Sequence, residues 1–113
     1  MQKHERLEED TKQALSHIIS YEIKNPDVDG LISVTRVSIT PDQKYAKIFV
    51  SIYNTKSKHR VVKALEKSTS FIKSQLAKSV KFRNIPSLTF SLDESIEYGD
   101  HINKIIAQIN SEK

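Results

Sequence analysis

Between residues 56 and 83 the chain carries nine Lys and Arg side chains (Lys56, Lys58, Arg60, Lys63, Lys67, Lys73, Lys78, Lys81 and Arg83) against one acid, Glu66. That stretch is +8 in a protein of formal net charge +4, so the other 85 residues are net acidic. A basic surface on an acidic body attracts polyanions, nucleic acid first among them. Scattered surface lysines do no more than keep a protein dispersed; what marks this stretch is the near absence of acids among them. Wound as a helix at about 100° per residue, Lys63, Lys67, Ser70, Ser74, Lys78 and Lys81 fall on one side, opposite Leu65, Ile72 and Leu76. Ammonium groups and hydroxyls in one stripe can contact phosphates through charge and hydrogen bonds together. The candidate phosphate contacts are therefore Lys63, Lys67, Lys73, Lys78, Lys81 and Arg83.

Catalytic constellations are thin by comparison. His4, His17, His59 and His101 lie in four separate segments, none with a second histidine three or four residues away, and they read as surface residues. Asp93, Glu94, Glu97 and Asp100 could hold magnesium, which favours carboxylates, and a small metal-dependent nuclease is the enzyme that reading would give. The simpler reading is that these acids sit at the start of a last helix and complement its dipole. Only two glycines, Gly30 and Gly99, are present, too few for a phosphate-cradling loop or a dinucleotide fingerprint. Cysteine is absent, which excludes a disulfide framework and thiolate chemistry. No catalytic residue, metal, cofactor or small-molecule substrate is expected.

The elements that must position the basic stripe follow from periodicity. Leu7, Thr11, Ala14, Leu15, Ile18 and Ile19 share one helical face, and this helix should stop before Asn25-Pro26, since the residue preceding proline leaves the helical region. Asp27 to Gly30 reads as a turn. LISVTRVSI and KYAKIFVSIY, joined through Pro41-Asp42, read as a hairpin with a type I turn. In the second strand Ala46, Ile48, Val50 and Ile52 form one face and Tyr45, Lys47, Phe49, Ser51 and Tyr53 the other. In the first strand Ile32 and Val34 have one parity and Val37 and Ile39 the other, so a bulge near Thr35-Arg36 is expected. Leu88, Phe90 and Leu92 alternate as a third strand, and Ile102, Ile105, Ile106 and Ile109 predict a closing helix over about residues 95–113.

Two features need more than periodicity. Tyr45, Phe49 and Tyr53 with Lys47 could stack bases as an RNA-binding sheet does, although packing beneath the closing helix explains them more simply. Ser68 and Thr69 interrupt the apolar stripe of Val61, Leu65, Ile72, Leu76 and Val80, as a polar turn or a corner between two helices would.

A chain of 113 residues accommodates a single domain. MQKHERLEEDTKQ lacks the apolar segment of a secretory signal, and no run approaches the roughly 18 apolar residues of a membrane span, so a soluble cytoplasmic protein without membrane partners is expected. Three strands with one apolar face and helices packed on it make an α+β two-layer domain.

YEIKNPDV after the first helix, SVTRVSITPDQKYAKIFVSIYN for the hairpin and KSTSFIKSQLAKSVKFRNIPSLTFSLDESIEYG for the remainder resemble the bacterial ribosome-binding factor A family over nearly the whole chain. The resemblance implies a KH-like fold of type II order, αββααβ, in which two central helices meet at an Ala-x-Gly kink. Here that kink element falls on Ser68, Thr69 and Ser70, with Ser70 in place of the glycine. Serine there implies either a milder corner or a helix N-cap at Ser70, and strain if φ were positive. The resemblance further implies a monomer that binds the 30S ribosomal subunit and its 16S rRNA, assists late rRNA maturation, is needed in the cold and catalyses nothing. A general single-stranded nucleic-acid-binding protein is the alternative binding function.

Overall fold

In the computed structural model, which describes residues 3–93, the apolar stripe of the first segment is the inner face of α1 (Lys3–His17). Thr11 lies on that face fully buried, and its hydroxyl donates to the Leu7 carbonyl at 2.7 Å, so no polar atom is orphaned. The helix then widens into a π turn, Ile18–Glu22, closed by the Ile23 N–H donating to the Ile18 carbonyl at 3.1 Å. After this wide turn Ile23 packs against the edge of the core beside buried Ile18 and Ile19. Extended backbone at Ile23 ends the helix two residues before Asn25-Pro26, as the proline rule requires.

Strands β1 (Leu31–Ile39) and β2 (Tyr45–Tyr53) form the antiparallel hairpin. Its turn is of the expected kind. The Gln43 N–H donates to the Thr40 carbonyl at 2.8 Å around Pro41-Asp42, and Gln43 follows with φ of 60°, the left-handed residue that lets a type I turn join twisted strands. The register shifts between Val34 and Arg36, placing the bulge at Thr35. One extra residue reverses the parity of everything after it, and so Val34, Val37 and Ile39 are all buried.

Helices α2 (Lys58–Lys67) and α3 (Thr69–Ser79) form the crossover to β3 (Ser87–Leu92), which pairs parallel to β2 with Ile48 opposite Phe90. The sheet order β1-β2-β3 places the most apolar strand in the middle. Ala46, Ile48, Val50 and Ile52 of β2 meet Leu15 of α1, Ile18 of the π turn, Val61 and Leu65 of α2, and Ile72 and Leu76 of α3 in one core. The described order is αββααβ, helices on one face of a three-stranded sheet. The expected closing helix over residues 95–113 lies outside the described residues. Among the described residues no helix is long and apolar enough to cross a membrane.

Candidate nucleic-acid interface

The corner between α2 and α3 sets the direction of the lysine-bearing surface. It turns at Ser68, with φ −90° and ψ 8°. The Ser68 N–H donates to the carbonyls of Ala64 and Leu65 at 3.0 and 3.1 Å, closing α2, while the Ser68 carbonyl accepts from Ile72 N–H at 2.9 Å, opening α3. Thr69 turns its hydroxyl back to the Glu66 carbonyl at 2.5 Å, occupying an acceptor the helix end leaves free. Thus Ser68 serves the bend through its backbone and Thr69 through its hydroxyl, and neither residue is buried in the core. Ser70 is exposed inside the first turn of α3, and among the described residues only Gln43 and Asn54 are non-glycine residues with positive φ. Of the two alternatives for Ser70, an N-cap or a milder corner, the milder corner occurs: Ser68 occupies the junction, and no left-handed residue is needed.

The bend also divides the basic stripe. Lys63 and Lys67 border a shallow depression with His59, Arg60, Ser57 and Asp27. Ser57 caps α2 by accepting from the Arg60 N–H at 3.3 Å. The Arg60 guanidinium meets the Asp27 carboxylate at 2.5 Å, and this hydrogen bond, with the attraction between the charges, raises the Arg60 pKa further. Asp27 thereby offsets one cation of the depression and leaves Lys63 and Lys67 as its uncompensated charges. Neither Arg60 nor Asp27 stands out in the sequence as a pair, because 33 residues separate them.

Lys81 lies elsewhere, in a groove between the end of α3 and α1 lined by Leu7, Asp10, Gln13 and Ala14. Arg83 is held at the hairpin turn, its N–H donating to Gln43 Oε1 at 2.8 Å and its guanidinium to the Pro41 carbonyl at 3.2 Å. Lys73 is half-buried on α3 and Lys78 exposed near its end. The six candidates are thus spread over the depression, α3 and the hairpin end of the molecule. Among the described residues Lys63, Lys67, Lys73, Lys78 and Lys81 form no ion pair, although Asp10 borders the groove that holds Lys81.

Of the four acids expected at a helix start, only Asp93 lies within the described residues, and it lies at the end of the third strand instead. Asp93 continues the sheet ladder, its N–H donating to the Val50 carbonyl at 2.8 Å, and its carboxylate accepts from the Thr35 hydroxyl. Glu94, Glu97 and Asp100 lie outside the described residues. Among the described residues no group of three His, Asp or Glu side chains is placed to hold a metal.

Residues 3–106 match the family model described as ribosome-binding factor A. A ribosome-binding factor A of Natranaerobius thermophilus is 45% identical over 107 residues, spanning 94% of this chain and 81% of that protein. One of Clostridium kluyveri is 44% identical over 105 residues, spanning 92% and 87%. The crystal structure of ribosome-binding factor A from Thermus thermophilus is similar with a TM-score of 0.72 at 23% identity, covering 80% of this chain and 97% of that one. A Thermus thermophilus homology model fitted into the cryo-electron-microscopy map of a 30S complex is similar with a TM-score of 0.65 at 24% identity, covering 79% and 93%. At those identities the structural likeness speaks for the fold, and the relatives above 40% speak for the family.

Proposed function

The chain belongs to the ribosome-binding factor A family, and we propose that it is an assembly factor of the small ribosomal subunit that works by binding alone. It engages 16S rRNA in the free or immature 30S particle and assists the late maturation and processing of that rRNA. The observation that carries this reading is the set of lysines on α2 and α3 that face outward without carboxylate partners. Lys63, Lys67, Lys73, Lys78, Lys81 and Arg83 contact phosphates, and Ser68 to Ser70 shape the surface between them. The 30S partner of the Thermus thermophilus protein is carried over to this chain as part of the proposal.

Binding suffices for such a role. A protein that prefers one rRNA conformation shifts the population toward it by its differential affinity for the two states. Misfolded RNA leaves its traps slowly when cold, so the need for the factor is greatest at low temperature. The chain acts as one cytoplasmic monomeric domain, with no cofactor, membrane or small-molecule substrate. Sedimentation of cell extract through a sucrose gradient tests the reading: the protein should travel with free small subunits and their precursors. Recovery only at the top of the gradient, or only with complete ribosomes, would overturn it.

A further inference from the structure

The sheet has a second face, turned away from α1, α2 and α3. Register brings Arg36 of β1 beside Phe49 of β2, and Lys47 of β2 beside Thr89 of β3, on that face. The Arg36 guanidinium carbon lies 4.3 Å from the centroid of the Phe49 ring, and Lys47 Nζ 5.2 Å from the same centroid. Tyr45, two residues before Lys47, is 63% exposed. Arg36 reaches this face because of the Thr35 bulge, which puts it opposite Phe49; without the extra residue its parity would carry it to the core side. On the α1 side Arg36 also borders a pocket lined by Glu5, Glu8 and Glu9, none of which forms an ion pair with it among the described residues, and the carboxylate of Asp93 is engaged by Thr35.

We propose that this face is a second RNA surface, separate from the lysine helices, which takes a splayed single strand by stacking. A base lies on the exposed Tyr45 ring, and another on the Arg36 guanidinium held over Phe49. Lys47 stands between them within reach of a phosphate. Tyr45 and Phe49 are four residues apart on one strand, about 13 Å at the rise of a β-strand. In a duplex both faces of each base are covered by its stacked neighbours and its edge is paired, so only an unstacked strand presents bases to both positions. Exposed aromatic and guanidinium planes suit bases, since every base has a π face. An acidic peptide would use the two cations and leave Tyr45 unused. The proposal extends the reading above but stands on different residues.

Fluorescence anisotropy with the full chain tests it, using a labelled single-stranded oligoribonucleotide and an RNA duplex of equal length. Tyr45→Ala and Arg36→Gln should each weaken single-strand binding roughly tenfold, the scale of one lost stack, and leave duplex binding within about twofold. Tyr45→Phe, which keeps the ring, should bind like the parent, and this holds the test open to a clear answer should Tyr45→Ala lose stability. Replacing Lys63 and Lys67 with Gln should leave the tenfold effect of Tyr45→Ala intact, so failure of the helical surface and failure of this one are distinguishable. Unchanged single-strand affinity in both sheet variants, an equal loss on both probes, or capture of an acidic peptide in place of RNA would each overturn the proposal.

Discussion

The Thr35 hydroxyl donates to the Asp93 carboxylate at 2.6 Å, joining residues 58 positions apart in the chain. Thr35 is the unpaired residue of the β1 bulge, and Asp93 is the first residue beyond β3, so a single hydrogen bond spans the sheet from one edge strand to the end of the other. The same hydroxyl lies 3.2 Å from the Phe49 carbonyl of the central strand. Bulges leave backbone and side-chain groups out of the ladder, and here those groups tie the strand ends together. Thr35→Val keeps the shape and strand preference and removes the donor. It should destabilise the fold by about 1–2 kcal/mol, the scale of a hydrogen bond to a charged acceptor in a half-buried place. Urea denaturation of the two proteins measures it.

Gly30 closes the approach to β1 with φ of 81°. A Cβ there would collide with the Tyr53 carbonyl oxygen and stand 3.0 Å from that of Asn54. Both are backbone atoms and cannot swing aside, and the left-handed backbone adds its own cost to any side chain. Gly30→Ala should therefore cost at least about 2 kcal/mol, more than glycine-to-alanine exchanges in ordinary backbone. A thermal melt shows whether the hairpin tolerates it; an unchanged midpoint would contradict the close approach.

How much of this was legible in the sequence depends on whether the cause is local. The bulge was readable at Thr35 because Ile32 and Val34 alternate on one parity and Val37 and Ile39 on the other, and only an extra residue lets the later pair follow Val34 into the core. The Pro41-Asp42 turn was readable from its own residues. The π turn at Ile18–Glu22 was not, since it answers to where Ile23 meets the core, a tertiary cause. The hydroxyl residues Ser68, Thr69 and Ser70 advertise a corner, but which residue bends is decided by α3 packing on α1 and α2 on β3. That packing also separates Lys63 and Lys67 from Lys81, which an unbroken helical wheel places on one stripe. The pairing of Arg36 with Phe49 follows from the bulge and from strand register together, and neither signal alone predicts it.

Asp42 makes the hairpin turn sensitive to acid. Its Oδ1 accepts from the Thr40 hydroxyl at 2.7 Å and from the Lys44 N–H at 3.0 Å, and these bonds, the Thr40 one foremost, hold its pKa below the ordinary 3.8. A carboxylate whose folded pKa is depressed lends stability that is present above its unfolded pKa and is lost as pH falls through the folded value. The turn should thus keep its order through pH 5 and loosen only below about 4. Amide shifts of Lys44 and Tyr45 followed by NMR report this directly. Asp42→Asn should remove the acid transition from those amides, and persistence of the transition would assign it to another carboxylate.

Ser70 sits in an ordinary helical turn, so glycine at that position relieves nothing. Ser70→Gly should lower stability by roughly 0.5 kcal/mol, the difference between serine and glycine in a helix interior. A gain in the melting midpoint would mean that the corner strains residue 70 after all. Small-subunit binding should be unaltered, because the bend itself is made at Ser68 and braced by the Thr69 hydroxyl on the Glu66 carbonyl.

The division of the lysines by the corner makes the function testable in parts. If all four contact phosphates, exchanging Lys63 and Lys67 for Gln, and separately Lys78 and Lys81 for Gln, should each flatten the salt dependence of small-subunit binding. The expected change is roughly 0.7–0.9 in the logarithmic slope per lost contact, so each pair should remove about 1.5 and the fourfold variant about 3. The side chains are exposed or half-buried and unpaired among the described residues, so the folded state should survive each exchange, as circular dichroism can verify. Should one pair leave the slope unchanged, that end of the surface stands outside the interface; should the fourfold variant leave it unchanged, rRNA binding through the helices is refuted. In cells the fourfold variant should behave like a deletion, accumulating precursor 16S rRNA and free small subunits most strongly in the cold, since binding is the only activity the reading assigns. Rescue by that variant, with the protein folded and its small-subunit affinity lost, would separate the biological role from RNA binding and refute the mechanism.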